Sequence, residues 1–176
     1  MIHIKAEIRP RLGISSCLLG ENVRYDGGNK RNEFIIAEIS PLFELIPICP
    51  EVAIGMGIPR PPIQLVDCDG EIRARGIAAP ASDMTQALTD YAGHLQQTLA
   101  SLSGYIFKRN SPSCGSREVK VLTGSVYELR GQGIFARAII QAFPDLPLID
   151  EQQLSDRVLC ERFLMNVNKY YQLNFR

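Results

Sequence analysis

Histidine is scarce in this chain: 176 residues carry two, His3 and His94. A cysteine or serine nucleophile would have to find its base between them. His3 stands close to the amino terminus and His94 beside Leu95 on a helical stripe, so neither reads as the partner in a catalytic dyad. Net charge is also missing, with 19 Lys and Arg against 19 Asp and Glu. That balance argues against broad electrostatic capture of a nucleic acid polymer or an anionic membrane surface, and favours a small-molecule partner. No apolar run is long enough to span a bilayer, and Met1 to Pro10 carry charges where a signal peptide needs an apolar core. The expectation is a cytoplasmic protein with no membrane partner. Closely spaced Cys-x-x-Cys pairs, the usual source of structural zinc ligands, are absent. So are internal repeats and low-complexity segments.

What is present is an ordinary globular composition, 45% hydrophobic and 22% charged, in a chain long enough for one domain with a real core over residues 1–176. Apolar runs at 11–17, 43–48, 104–108 and Leu146 to Ile149 read as strands. Asn32 caps a short helix through Ile39 that Pro41 ends. Met84, Leu88, Tyr91, Leu95 and Leu99 form one buried stripe on a helix of about five turns opened by Ser82-Asp83. Gly131-Gln132-Gly133 opens another helix, and Asp150 or Ser155 caps a last one carrying Leu159, Phe163, Val167 and Tyr170. Ile63 to Val66 and Glu71 to Arg75 flank Asp67-Cys68-Asp69-Gly70 as a hairpin, while 116–130 reads as less regular. Strand and helix alternate, which predicts an α/β fold: a single three-layer domain with a mainly parallel sheet and helices on both faces.

Three of the five cysteines stand at strand ends or on the turns just past them. Gly13-Ile14-Ser15-Ser16 leads into Cys17 and Ile46-Pro47-Ile48 into Cys49. Gly104-Tyr105-Ile106-Phe107 leads into Asn110-Ser111-Pro112-Ser113-Cys114-Gly115. In a parallel sheet those ends share one crevice, where open α/β folds bind ligands. Cys160 reads as a small buried hydrophobe and Cys68 as a solvent-side thiol at a hairpin tip. Three thiolates arriving from different directions suit an iron–sulfur cluster with one open iron, or a zinc ion. A non-enzymatic iron–sulfur or zinc-binding module therefore stands as an alternative to an enzyme. Glu51, two residues past Cys49, is placed to activate water or shuttle protons, or is an ordinary surface carboxylate. Ser111, Ser113, Ser15 and Ser16 offer hydroxyls to a substrate or shape their turns. The glycine-rich loop with Arg24, Lys30 and Arg31 can receive an anion or a polar ring. Gly131-x-Gly133-x-x-Ala136 imitates a dinucleotide fingerprint but follows a poor strand.

The same residues carry a resemblance. Gly-Ile-Ser-Ser-Cys-Leu-Leu-Gly at 13–20, Val-Arg-Tyr-Asp-Gly-Gly at 23–28 and Ile-Cys-Pro-Glu-Val at 48–52 resemble the thiouracil desulfurase family, formerly a domain of unknown function. So do Ile-Gly-Met-Gly-Ile-Pro-Arg ending at 60, Lys-Arg-Asn-Ser-Pro-Ser-Cys-Gly at 108–115 and Gly-Ile-Phe-Ala at 133–136. The likeness runs in order over roughly residues 11–150. It implies a [4Fe-4S] cluster on Cys17, Cys49 and Cys114 with one open iron, and a thiolated pyrimidine (2-thiouracil or thiouridine class) as substrate. By the same resemblance Glu51 activates the attacking water and Ser111 assists proton transfer. Ser16, Arg24, Tyr25 and Ser113 are expected to contact the substrate. Sulfur leaves as hydrosulfide.

Overall fold

The computed structural model describes residues 9–176. His3 and residues 1–8 lie outside the described residues. The central sheet is built from β1 (Arg11–Ser15), β2 (Glu44–Ile48), β5 (Gly104–Phe107) and β8 (Leu148–Asp150), all parallel in the order β2-β1-β5-β8. Leu12, Ile14, Tyr105, Ile106 and Phe107 are fully buried, as expected for strands covered on both faces. One face packs on α5 (Arg157–Phe175) through Phe163 and Val167. The other packs on α2 (Thr85–His94), α3 (Gln96–Ala100) and α4 (Ile134–Ala142) through Ala92, Leu99, Phe135 and Ile139. Burying one such Leu or Phe side chain contributes roughly 1.5–3 kcal/mol. The α/β class with a parallel, doubly covered sheet is therefore the observed one.

A second sheet lies beyond α2 and α4. It comprises β3 (Ile63–Cys68), β4 (Glu71–Gly76), β6 (Val119–Thr123) and β7 (Val126–Gly131), in the order β4-β3-β6-β7. Its inner face, with Leu65, Ala74, Val119 and Val121, meets Leu88 of α2 and Ile134 of α4. The hairpin 63–75 was expected. The passage 116–130 is not irregular but a second hairpin, whose strand β7 is an edge with Val126, Tyr127 and Leu129 exposed.

Other boundaries differ in detail. The helix over 85–100 is interrupted at Leu95, between α2 and α3. Asn32 does cap its segment, its Oδ1 accepting from the Ile35 N–H at 3.1 Å, but the turn over Ile35–Ile39 is wide, closed from Ser40 N–H to the Ile35 carbonyl. The last helix is capped by neither Asp150 nor Ser155. Gln153–Ser155 forms a 3-10 turn, and the Asp156 carboxylate accepts from Val158 N–H and Leu159 N–H. Among the described residues no helix is long and apolar enough to cross a membrane.

Candidate active site

Each of the three cysteines leaves its strand by a different local device. After β1 the chain turns at once into a 3-10 turn, Ser16–Leu19, that holds Cys17 and closes at Gly20 with φ 95°. Cys49 precedes the short helix α1 (Pro50–Ala53), with proline at its first position. After β5, the Lys108 N–H donates to Ser15 Oγ at 3.0 Å, tying this strand end to that of β1. The chain then folds around Ser111, whose Oγ accepts from the N–H groups of Ser113 and Cys114 at 3.2 and 3.0 Å. That loop is docked on the start of α4: Ile134 and Ala136 N–H donate to the carbonyls of Pro112 and Ser113. Gly133 is needed there for close approach, which accounts for the Gly131-x-Gly133 pattern without a dinucleotide.

The strand order places β1 between β2 and β5, so all three devices open on one crevice. Cys17, Cys49 and Cys114 line a single cavity of about 430 Å³. Ser16, Arg24, Tyr25, Glu51 and Ser111 line it too. Ser113, the remaining residue read as a substrate contact, does not: it is fully buried behind Glu51 and donates from Oγ to Glu51 Oε1 at 2.8 Å. His94 is exposed at the end of α2 and away from the cavity. Cys160 is on the buried face of α5, and Cys68 ends β3, half-buried.

Glu51 is held on both oxygens. Ser113 donates to Oε1, and Arg60 Nε donates to Oε2 at 2.8 Å. The Arg60 side chain is only 3% exposed, against 13% for Glu51, so this is a desolvated, charge-assisted pair. Across the cavity Lys108 is ion-paired with Glu151, which also accepts from the Arg109 N–H at 2.6 Å. Arg24 pairs with Asp26 at 3.3 Å and lies 5.3 Å from the Tyr25 ring centre. Lys30 lines the same cavity.

Burial dominates the thiols. It pushes Cys17 up to about 11, with Lys108 and Arg24 opposing the rise and Cys49 and Glu151 adding to it. It raises Cys49 as well, against the Val52 N–H, and raises Cys114 further above the ordinary thiol range, with Glu51 and the other two sulfurs reinforcing it. Tyr105 is fully buried in the same core cluster as Cys114, and its hydroxyl has no hydrogen-bond partner among the described residues. Among the described residues no group of three or more His, Cys, Asp or Glu side chains is arranged to hold a metal ion.

Sequence reasoning missed Arg60, Lys108 and Glu151 as members of the site. Arg60 stands in a proline-rich loop that gives no periodic signal. That it pairs with Glu51 shows itself only once the fold is known.

Residues 12–151 match the family model described as 2-thiouracil desulfurase. The chain is 32% identical over 152 residues to the protein YbbK of Bacillus subtilis (strain 168), described as uncharacterized, covering 81% of this chain and 97% of that protein. It is similar in structure to a protein titled [4Fe-4S]-dependent thiouracil desulfidase TudS, with a TM-score of 0.64 and 28% identity, covering 88% of this chain and 99% of the other.

Proposed function

The chain belongs to the 2-thiouracil desulfurase family, and from that premise we propose that it removes sulfur from a free thiolated pyrimidine at a [4Fe-4S] cluster held by Cys17, Cys49 and Cys114. The observation that carries this reading is the shared cavity: three thiols from three strand ends, with Glu51 and Ser111 on its wall. The donor set fits a cluster. It is soft, its three members line one cavity, and it contributes three ligands where a cubane has four iron corners. Such a cluster supplies Lewis acidity toward the thiocarbonyl sulfur. The Lys108 and Arg24 charges, which already oppose the rise at Cys17, favour its thiolate form.

The chain's own residues supply the rest. Glu51, oriented by two hydrogen bonds, keeps further lone pairs to accept a proton from a water molecule in the cavity. Ser111 Oγ accepts from two backbone N–H groups, so its own proton points elsewhere and can be donated toward the substrate. Tyr25 and Arg24 offer a ring face and a guanidinium to a planar polar ring, and Ser16 a hydroxyl. In balance, the carbon–sulfur double bond is replaced by carbon–oxygen, the oxygen comes from water, and sulfur leaves as hydrosulfide with a proton. No net electron transfer is involved. All five cysteines are free thiols, which supports a reducing, cytoplasmic setting.

The test is an anaerobic reconstitution assayed for hydrosulfide and oxo base against a panel of thiolated pyrimidines. Turnover with at least one of them is expected. A brown protein that releases no sulfide from any would favour a cluster carrier, and a colourless protein with stoichiometric zinc a binding module.

A further inference from the structure

Arg60 lines the cavity and its side chain is almost wholly buried, yet it is neither one of the three cysteines nor a residue whose chemistry the reaction requires. Its guanidinium donates from Nε to Glu51 Oε2 at 2.8 Å and from Nη1 to the Gly57 carbonyl at 3.0 Å. Its backbone N–H donates to the Tyr25 carbonyl at 2.9 Å. It thus ties two parts of the cavity wall, the helix start bearing Glu51 and the loop bearing Arg24 and Tyr25, to the turn at Gly57. Ser113 grips the other carboxylate oxygen from the opposite side at 2.8 Å. With both oxygens engaged, the carboxylate plane is fixed and the remaining lone pairs keep one direction. A lysine could neutralise Glu51, but only a guanidinium presents several N–H groups in one rigid plane.

We propose that Arg60 is the positioning residue of the desulfurase site, acting on the reaction only by holding the Glu51 carboxylate, with Ser113 as the second clamp. The inference rests on the reading of Glu51 as the group that activates water. A carboxylate free to rotate has the same charge and the wrong aim, and loss of aim falls on turnover more than on substrate binding.

The experiment compares reconstituted wild type with Arg60→Ala, Arg60→Lys, Glu51→Gln and the double variant Arg60→Ala/Glu51→Gln. Arg60→Ala is expected to stay brown with unchanged iron and to lose kcat by about 100-fold with KM nearly constant, the size of a general-base contribution. Added ethylguanidinium should recover about tenfold of that loss and ethylammonium none, since only the former can refill the planar donor. The double variant should be no slower than Glu51→Gln alone. If Arg60→Ala fails to fold, Arg60→Lys carries the same test, keeping the charge and losing turnover. Wild-type kcat in a folded Arg60 variant overturns the proposal. So does iron loss in Arg60→Ala or Arg60→Lys, or a further large drop on top of Glu51→Gln, which would mean that Arg60 touches substrate itself.

A readout independent of turnover separates this proposal from the desulfurase reading. In the metal-free protein, the infrared difference between wild type and Glu51→Gln isolates the Glu51 carboxylate bands. Those bands should shift and broaden in the Arg60→Ala background. Bands that do not move overturn the clamp even if no thiolated pyrimidine proves to be a substrate, and bands that move sustain it in that same event.

Discussion

Gly133 lies so close to the backbone of Ser113 that a Cβ at residue 133 would stand 2.5 Å from the Ser113 carbonyl carbon and oxygen, and 2.8 Å from the Cys114 nitrogen. Neither partner is a flexible side-chain end, so the loop must move to admit even a methyl group. Gly133→Ala is expected to displace Cys114 from its place on the cavity, costing about 1–3 kcal/mol of stability as overpacking does. The reconstituted variant should hold less iron than wild type, read by metal analysis alongside a thermal melt. Full iron with an unshifted melt would show the loop to be more compliant than its contacts suggest.

Glu51→Gln is nearly isosteric but leaves the Arg60 charge, 3% exposed, without its counter-ion. Removing one member of a buried pair costs about 3–5 kcal/mol in general, and the partial opening of Glu51 to the cavity places this case near the lower end. Denaturant unfolding should show the loss in Glu51→Gln. Much of it should return in Glu51→Gln/Arg60→Met, where no charge is left stranded. Equal stability of Glu51→Gln and wild type would mean that the pair is better solvated than its burial implies.

The metal-free protein should weaken in alkali. Burial lifts the Cys17 thiol from an ordinary 9.0 to about 11, so the folded chain holds that proton more tightly than the unfolded one. The corresponding stability is complete below the unfolded value and disappears as pH rises from 9.0 through about 11. Cys49 and Cys114 shift in the same direction. Cluster-loaded protein, whose thiols are already ionised, should lack this dependence. Denaturation midpoints of the two forms across that pH interval are the check, and parallel curves would contradict the assignment.

Cys160 offers the contrast within the same chain. It is 6% exposed and packs in the core with Leu12, Phe163 and Val167. Cys160→Ala should cost about 1 kcal/mol of packing and leave iron content and turnover untouched, as seen by melting and metal analysis.

The parallel sheet was legible because its strands are continuous apolar runs ended by turn formers, and that alone was enough to draw residues 17, 49 and 114 toward one crevice. The second sheet was half legible. Asp69-Gly70 announced the first hairpin, whereas β7 carries Tyr127 and Leu129 alternating with Glu128 and Arg130 on opposite faces, both exposed up to Arg130, so no buried apolar run marked it. A signal was present in Gly124-Ser125, a two-residue turn with φ 60° at Gly124 joining Thr123 to Val126. The true cap of α5 was hidden among three capable residues, Asp150, Ser155 and Asp156. Arg60 was invisible for a different reason. Arginine is ordinarily exposed, and its burial depends on a carboxylate nine positions away whose other oxygen is held from 62 positions further along the chain. Side-chain direction hid Ser113 in the same way, since a serine beside a site cysteine can face the cavity or turn its back on it.

The most direct measurement is iron content and hydrosulfide release, taken together, in wild type and in Cys17→Ser, Cys49→Ser and Cys114→Ser after identical anaerobic reconstitution. About four irons per chain and turnover of a thiolated pyrimidine are expected in wild type, and neither in any of the three variants. One variant that keeps both its full iron and its turnover would contradict the account.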